Sequence, residues 1–392
     1  MSIEKYRSFR VVQEERIIRA SLVRRVNRFL VECRLTENAI FVKAFLPNPG
    51  RLWELFFPGT TVLLSKDGIS PHRTTEYTLV GAETSSHNVI MLNTHAANGA
   101  VRWLLDNKMI PSLAETEVVR QEYPVGGSRF DFLLRNGNER TILEVKSCTL
   151  FGEKIAMFPD APSARAVKHV KELGKIGDKG SKAAIIFLIQ SPKPDYFLPD
   201  YHTDPRFAEI LYENRNSVDL IPLSVSWSRD LVLARHVREL ELPWHVYELE
   251  SGDRGCYMLI LYLRTDVKAV IGAMGEICFK RGFYIYVGSA KKNLDARIER
   301  HKRKRKKFHW HIDYLAQIAE VEIAIPIRTS GDLECDLARH ICGMAEWTVE
   351  GFGSSDCNCT SHLFGMISNP LDNKAFMKIL LDFRINRLEA FL

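Results

Sequence analysis

RFDFLLRNGNERTILEVKSCTL, residues 129–150, decides the reading of this chain. Two apolar runs flank Asn136-Gly137, a pair that favours a tight hairpin turn. Side chains alternate faces along a strand, so Phe130, Phe132 and Leu134 share one side and Asp131 takes the other. In the second run Glu144 and Lys146 share a face, with Leu143 and Val145 opposite. If the turn pairs the strands, all three charges converge on one edge of the sheet. Two neighbouring carboxylates taken out of water demand a cation or a proton. Hard oxygen donors suit Mg²⁺ or Mn²⁺, which neutralises phosphate charge and activates water, and a nearby ammonium suits the same chemistry. On a one-sided sheet the same residues are simply a wet face, and spacing alone leaves that alternative open.

The 392 residues are enough for two or three domains. With 46% hydrophobic and 26% charged residues, the composition is that of a folding globular protein. No early apolar run resembles a secretory signal, and no apolar run reaches the roughly 20 residues that span a bilayer. A cytoplasmic protein without membrane contact is the expectation. Eight cysteines, half of them between Cys335 and Cys359, do not look like a disulfide framework. The net charge of +6 is modest, but KKNLDARIERHKRKRKK, residues 291–307, concentrates it. This run is either a solvated helix face or a phosphate-binding surface, with Arg300, Lys302, Arg303 and Arg305 as its candidate DNA contacts.

From Arg28 to about His95, FLVECRL, AIFVKAFL, TTVLLS, EYTLVGA and NVIMLNT read as five short strands separated by turn residues, the pattern of a small OB-like β-barrel. A helix over 98–107 follows, then the opening hairpin. Ser163 caps a helix, AAIIFLI is a strand buried on both faces, and DPRFAEILYEN and VDLIPLSVSW complete an α/β unit. The expected organisation is an OB-like domain with an N-terminal extension (1–95), an α/β domain (96–240), a linker (241–254) and a third α/β domain (255–392).

LPNPGRL (46–52), SRFDFLL (128–134), EVKSCTL (144–150), FPDAPSARAVKH (158–169) and the later Asp-Pro before a helix resemble the sugar fermentation stimulation protein family, in order over roughly 15–235. Ala166 departs from the glycine expected after Arg165. The resemblance implies a PD-(D/E)xK restriction-endonuclease-like domain behind an OB-like DNA-binding domain. It implies Asp131 and Glu144 as metal ligands and Lys146 as catalytic lysine. Glu122 is a further candidate acid or a surface residue. Arg51, Arg165, Lys168 and His169 are candidate DNA contacts, the last three on one cationic helix face that is otherwise solvated.

Further on, GCYMLILYL (255–263) and GFYIYVGSA (282–290), with ARIERH, HWHIDYL, ECDLA and GFGSSDCNCTSHLF, resemble a little-characterised branch of the GIY-YIG nucleases. That resemblance implies Tyr257, Tyr286, Arg297 and His301 as catalytic or phosphate-binding residues and Glu334 as a metal ligand. The interval between the two signatures is unusually long, and the final asparagine of the active nucleases has no clear counterpart. His309, His311 and Asp313 alternate, as metal or phosphate contacts or as a wet face. Cys335, Cys357, Cys359 and His362 are zinc ligand types. C-x-C-x2-H is not a strong zinc spacing, so a structural loop or core packing is the expectation there.

The function expected is metal-dependent cleavage of DNA phosphodiester bonds, with Mg²⁺ or Mn²⁺ as cofactor and duplex or single-stranded DNA as partner. The alternatives are a non-catalytic DNA-binding regulator of sugar metabolism and an RNA-processing nuclease. Oligomeric state is not legible.

Overall fold

The computed structural model describes residues 8–66, 75–84, 88–178 and 181–392. The chain divides into two compact units, Met1–Pro243 and Trp244–Leu392.

In the first unit, β1 (Ile17–Asn27), β2 (Leu30–Leu35), β3 (Phe41–Phe45), β4 (Thr61–Lys66) and β5 (Tyr77–Glu83) form a barrel. Antiparallel pairs run β3-β2-β1-β4-β5, and a parallel β3–β5 contact, Ala44↔Tyr77 and Phe45↔Thr78, closes the ring. This is the OB-like barrel expected, with one correction. Strand β1 lies outside the five expected strands, and the last of those, β6 (Val89–Met91), only extends β5. In β1, Ala20 and Leu22 point into the core, whereas Arg24 reaches Glu32 at 2.7 Å and Arg19 reaches Glu83 at 3.3 Å on the exposed side.

Helix α1 (Thr94–Asp106) follows, capped by the Asn93 side chain accepting from His95 N. Next come β7 (Glu117–Val125), β8 (Ser128–Asn136), β9 (Glu139–Cys148), β10 (Leu150–Phe151), β11 (Ile155–Phe158), α2 (Ala164–Gly177), β12 (Lys182–Ile189), β13 (Tyr196–Pro199), α3 (Pro205–Glu213), β14 (Asp219–Ser224) and β15 (Arg238–Glu239). The central sheet has the order β15-β14-β12-β9-β8-β7, with β12 parallel to both β9 and β14. Strand β12 is buried along nearly its whole length, as its unbroken apolar run requires. Ser163 caps α2, its Oγ accepting from Ala166 N at 3.2 Å.

Leu63, Val80, Val89 and Met91 from the barrel side share one core with α1, Phe132, Leu134, Leu143 and Ile186. The boundary expected at residue 95 therefore separates parts that pack as one unit. Two of the quoted phrases also meet: Asp160 Oδ2 accepts from Leu52 N at 2.7 Å. A Cβ on Gly50 would lie 2.7 Å from that oxygen, so a larger residue there would have to displace the Asp160 carboxylate from Leu52. Asp204, ahead of α3, accepts from Phe207 N at 2.9 Å and from Ser163 N at 2.8 Å, joining the starts of α2 and α3.

The second unit contains α4 (Trp244–Glu250), β16 (Gly255–Leu263), β17 (Val267–Val270), β18 (Glu276–Phe279), β19 (Gly282–Ala290), α5 (Leu294–Lys302), α6 (His311–Ile318), β20 (Glu320–Arg328), α7 (Glu334–Cys342), β21 (Trp347–Thr348), β22 (Leu363–Met366) and α8 (Lys374–Arg384). Its antiparallel sheet has the order β20-β16-β19-β22-β21. The long interval between the two aromatic signatures is the β17–β18 hairpin, inserted between paired neighbours β16 and β19. Half of the expected linker over 241–254 is instead α4. Its Glu250 is fully buried and accepts from Arg387 Nη1 at 2.6 Å and from Ser330 N at 3.1 Å. Among the described residues no helix is long and apolar enough to cross a membrane.

Candidate functional site

Strands β8 and β9 close through Gly137-Asn138, with Gly137 at φ +56°, the left-handed region that glycine enters freely. Their ladder ends at Phe132↔Leu143. Asp131 and Glu144 stand at the next rung, where the Asp131 carboxylate takes over main-chain pairing: Oδ2 accepts from Val145 N at 2.7 Å. Asn98 of α1 donates to Oδ1 at 2.6 Å. Glu144 is 3% exposed. Its Oε1 accepts from Lys146 Nζ and lies 2.6 Å from His169 Nδ1 of α2, while Oε2 is buried with no hydrogen-bond partner.

Burial, reinforced by the neighbouring Glu144 charge, pushes the Asp131 carboxyl up to about 6. Burial acts on Glu144 in the same sense, but the hydrogen bond from His169 and the charge of Lys146 outweigh it, and its carboxyl sits below the ordinary value. A buried carboxylate beside a half-buried one, a partnerless oxygen and hard donors are what a divalent cation would satisfy. The residues therefore fit a divalent cation.

The structure brings Asp131, Glu144 and Lys146 together and redistributes their expected neighbours. Glu122, at φ +50°, is exposed and pairs with Arg129 at 2.9 Å instead of joining Asp131 and Glu144. Phe132 and Leu134 pack with α1, whereas the Phe130 ring lies 5.4 Å from that of His169, so the three aromatic and apolar side chains do not share one environment. His169 is not a surface DNA contact: it is 4% exposed and bound to Glu144. Arg165 is exposed, and Lys168 donates to Gly127 O at 3.1 Å. Arg51 stacks over Trp53, 4.6 Å from the ring centroid. Asn98 is a site residue that sequence reasoning missed.

In the second unit the β16–β19 ladder pairs Leu259 with Tyr286 and Tyr257 with Gly288. A Cβ on Gly288 would lie 2.6 Å from the Tyr257 ring, so glycine is required for the two strands to hold that tyrosine. Tyr257 Oη lies 2.8 Å from His301 Nε2, within hydrogen-bond distance, and the two tyrosine rings are 6.3 Å apart. Burial, helped by Lys306, pushes the His301 imidazole down to about 4. It is neutral at neutral pH, and at 1% exposure it does not reach an external phosphate. Arg297 donates to Ser289 O at 2.8 Å and lies over Trp310. Glu334 accepts from Ser289 Oγ and lies 3.2 Å from His362 Nδ1.

The basic run is partly an internal structure. Arg300 donates twice to Asp313 at 3.0 Å, and Lys306 pairs with the same carboxylate at 3.1 Å. Asp313 is fully buried and its oxygens are taken up by Arg300, Lys306 and two backbone amides, so it is neither a metal nor a phosphate contact, and Arg300 is engaged in that ion pair. Lys302 pairs with Glu299 at 2.6 Å; Arg303 and Arg305 remain exposed. His309 is exposed, and His311 accepts from Gly353 N at 3.3 Å. Against the expectation from spacing, Cys335, Cys357, Cys359 and His362 bring their donor atoms within 4.8 Å of one another.

With this geometry in place, comparison with known proteins is informative. Residues 23–91 match the SfsA N-terminal OB domain, and residues 95–230 match the sugar fermentation stimulation protein RE domain. A sugar fermentation stimulation protein homolog from Clostridium kluyveri is 33% identical over 235 residues, 59% of this chain and 100% of the relative. The chain belongs to the sugar fermentation stimulation protein family. Another homolog of that name, from Clostridium perfringens, is 40% identical over half of this chain and 84% of its own length. A solved structure of Pyrococcus furiosus SfsA in complex with Ca²⁺ is 28% identical, with a TM-score of 0.54, and covers 60% of this chain and 99% of that one. Residues 256–384 match a domain of unknown function, DUF123, appended to the family's two domains.

Proposed function

We propose that the chain is a divalent-metal-dependent nuclease that hydrolyses DNA phosphodiester bonds at Asp131, Glu144 and Lys146. The observation that carries the reading is the Asp131–Glu144 acidic pair with the buried, partnerless Glu144 Oε2, flanked by an ammonium. The Ca²⁺ complex of the Pyrococcus furiosus relative supports divalent-ion binding in this family. A divalent ion held by Asp131 and Glu144 supplies Lewis acidity and positive charge opposite a scissile phosphate. Asn98 and the Val145 amide orient Asp131, and His169 orients Glu144. Lys146, its side chain 14% exposed, orients the nucleophile and balances charge that develops on phosphate oxygen. The barrel contributes backbone contacts through its exposed arginines. Tyr257, Tyr286 and Arg297 form the candidate second nuclease centre of GIY-YIG type.

The test is cleavage of duplex, single-stranded and branched DNA, and of RNA, by the purified full chain with Mg²⁺ or Mn²⁺. Cleavage is expected to require the ion and to fall about 10²-fold or more in Lys146→Ala, the usual scale for a positioned proton-transfer or charge-stabilising group. DNA binding without cleavage under every condition would turn the reading into that of a regulator. Preference for RNA would move the substrate class.

A further inference from the structure

We propose that Cys335, Cys357, Cys359 and His362 hold one structural zinc ion, which ties the loop between β21 and β22 to the first turn of α7. The ligands come from two distant segments, and the fold alone brings them together within 4.8 Å. Tetrahedral zinc with bonds of about 2.3 Å to sulfur and about 2.0–2.1 Å to nitrogen has sulfur–nitrogen edges of about 3.6 Å. The Cys357 Sγ to His362 Nε2 separation is 3.4 Å, close to that edge.

The histidine is also turned the right way. Its Nε2 faces the thiols while Nδ1 lies 3.2 Å from Glu334 Oε1. A ligating histidine commonly gives its second ring N–H to a carboxylate, which fixes its tautomer and orientation. Glu334 supplies that acceptor, and its other oxygen takes the Ser289 hydroxyl. Among the described residues, three thiols and an imidazole complete a four-ligand set, with no protein-free position for a substrate, which marks a structural site. Three thiolates select zinc over Mg²⁺ or Mn²⁺. The cysteines line an open pocket with Ala338, Asn358 and Thr360, which gives the ion a route in.

With one oxygen on His362 and one on Ser289, Glu334 is a positioning residue for the zinc-bound imidazole, and not the ligand of a catalytic magnesium. The zinc assignment does not depend on the nuclease reading of the first unit.

The full chain, purified without added metal, is expected to carry one zinc per molecule by elemental mass spectrometry. Replacement of zinc by Co²⁺ is expected to give the intense visible bands of a tetrahedral ion together with thiolate charge-transfer absorption. Cys357→Ser and His362→Ala are expected to lose zinc, and Cys278→Ser, outside the cluster, to keep it. Glu334→Gln is expected to retain the stoichiometry but to release zinc to a chromophoric chelator with affinity weakened about 10- to 100-fold. Wild-type protein that binds neither zinc nor Co²⁺ under reducing conditions overturns the site, and needs no variant to fold. Zinc that persists in both ligand variants overturns it equally. Unchanged zinc affinity in Glu334→Gln overturns the positioning role.

Discussion

Glu144→Gln is expected to abolish metal-dependent cleavage, lowering the rate at least about 10³-fold, and to leave the chain folded. A loss of that size is about 4 kcal/mol of transition-state stabilisation at 1.36 kcal/mol per tenfold. The carboxylate is 3% exposed, and His169 and Lys146 both bind one of its oxygens. The other oxygen has no partner and is the one available to a cation. The amide keeps the shape and the neighbours' hydrogen-bonding partner but removes the charge that offsets a divalent ion. Fold retention follows from the packing: Leu143 and Val145 lie in the core with α1, and neither is disturbed. Far-ultraviolet circular dichroism and thermal unfolding, run beside the cleavage assay, separate loss of chemistry from loss of fold.

Asp313→Ala is expected to destabilise the C-terminal unit by about 3–5 kcal/mol, the cost of breaking a buried ion pair by removing one partner. Asp313 is fully buried and accepts from Arg300, Lys306 and the backbone amides of His309 and Trp310, at 2.9 and 3.1 Å for the amides. Its loss strands Lys306, whose side chain is only 4% exposed. Burial alone would raise the Asp313 carboxyl, but these donors outweigh it and hold it well below the unfolded value of about 3.9. The folded value is the lower one, so the stabilisation is complete above about pH 5. It is lost in acid as the pH falls through the folded value. Chemical denaturation of wild type and variant at neutral pH, and again in acid, should show the gap narrowing as the pH is lowered.

The hairpin was legible because a period of two and a Gly-containing turn place Asp131, Glu144 and Lys146 from local chemistry alone. What surrounds them came from tertiary packing. His169 reads in sequence as one end of a cationic face, yet it sits on the buried stripe of α2 with Ala166, Val170 and Leu173. That helical spacing was the available signal for an inward histidine. Asn98 lies between buried Ala97 and Ala100 on α1, with nothing in its neighbourhood to announce a carboxylate partner. Strand β1 was hidden by Arg19, Arg24 and Arg25, which interrupt its apolar alternation and project from a barrel that needs only Ala20 and Leu22 inside. The basic run reads as a uniform surface, but Arg300 and Lys306 turn inward onto Asp313 because a helix reversal brings α6 against α5. Likewise, C-x-C-x2-H is weak as a local pattern, and its meaning depends on Cys335 arriving from another element.

Binding of Mn²⁺ to the full chain, followed by the loss of the free-ion electron paramagnetic resonance signal, shows whether Asp131 and Glu144 hold a divalent ion. Mn²⁺ prefers oxygen donors, so the thiolate cluster does not compete for it. The wild type is expected to show a saturable Mn²⁺ site that Mg²⁺ competes for and that Glu144→Gln and Asp131→Asn each remove. Wild-type protein that leaves the free-ion signal unchanged, or a site that survives both substitutions, would contradict ion binding by this pair.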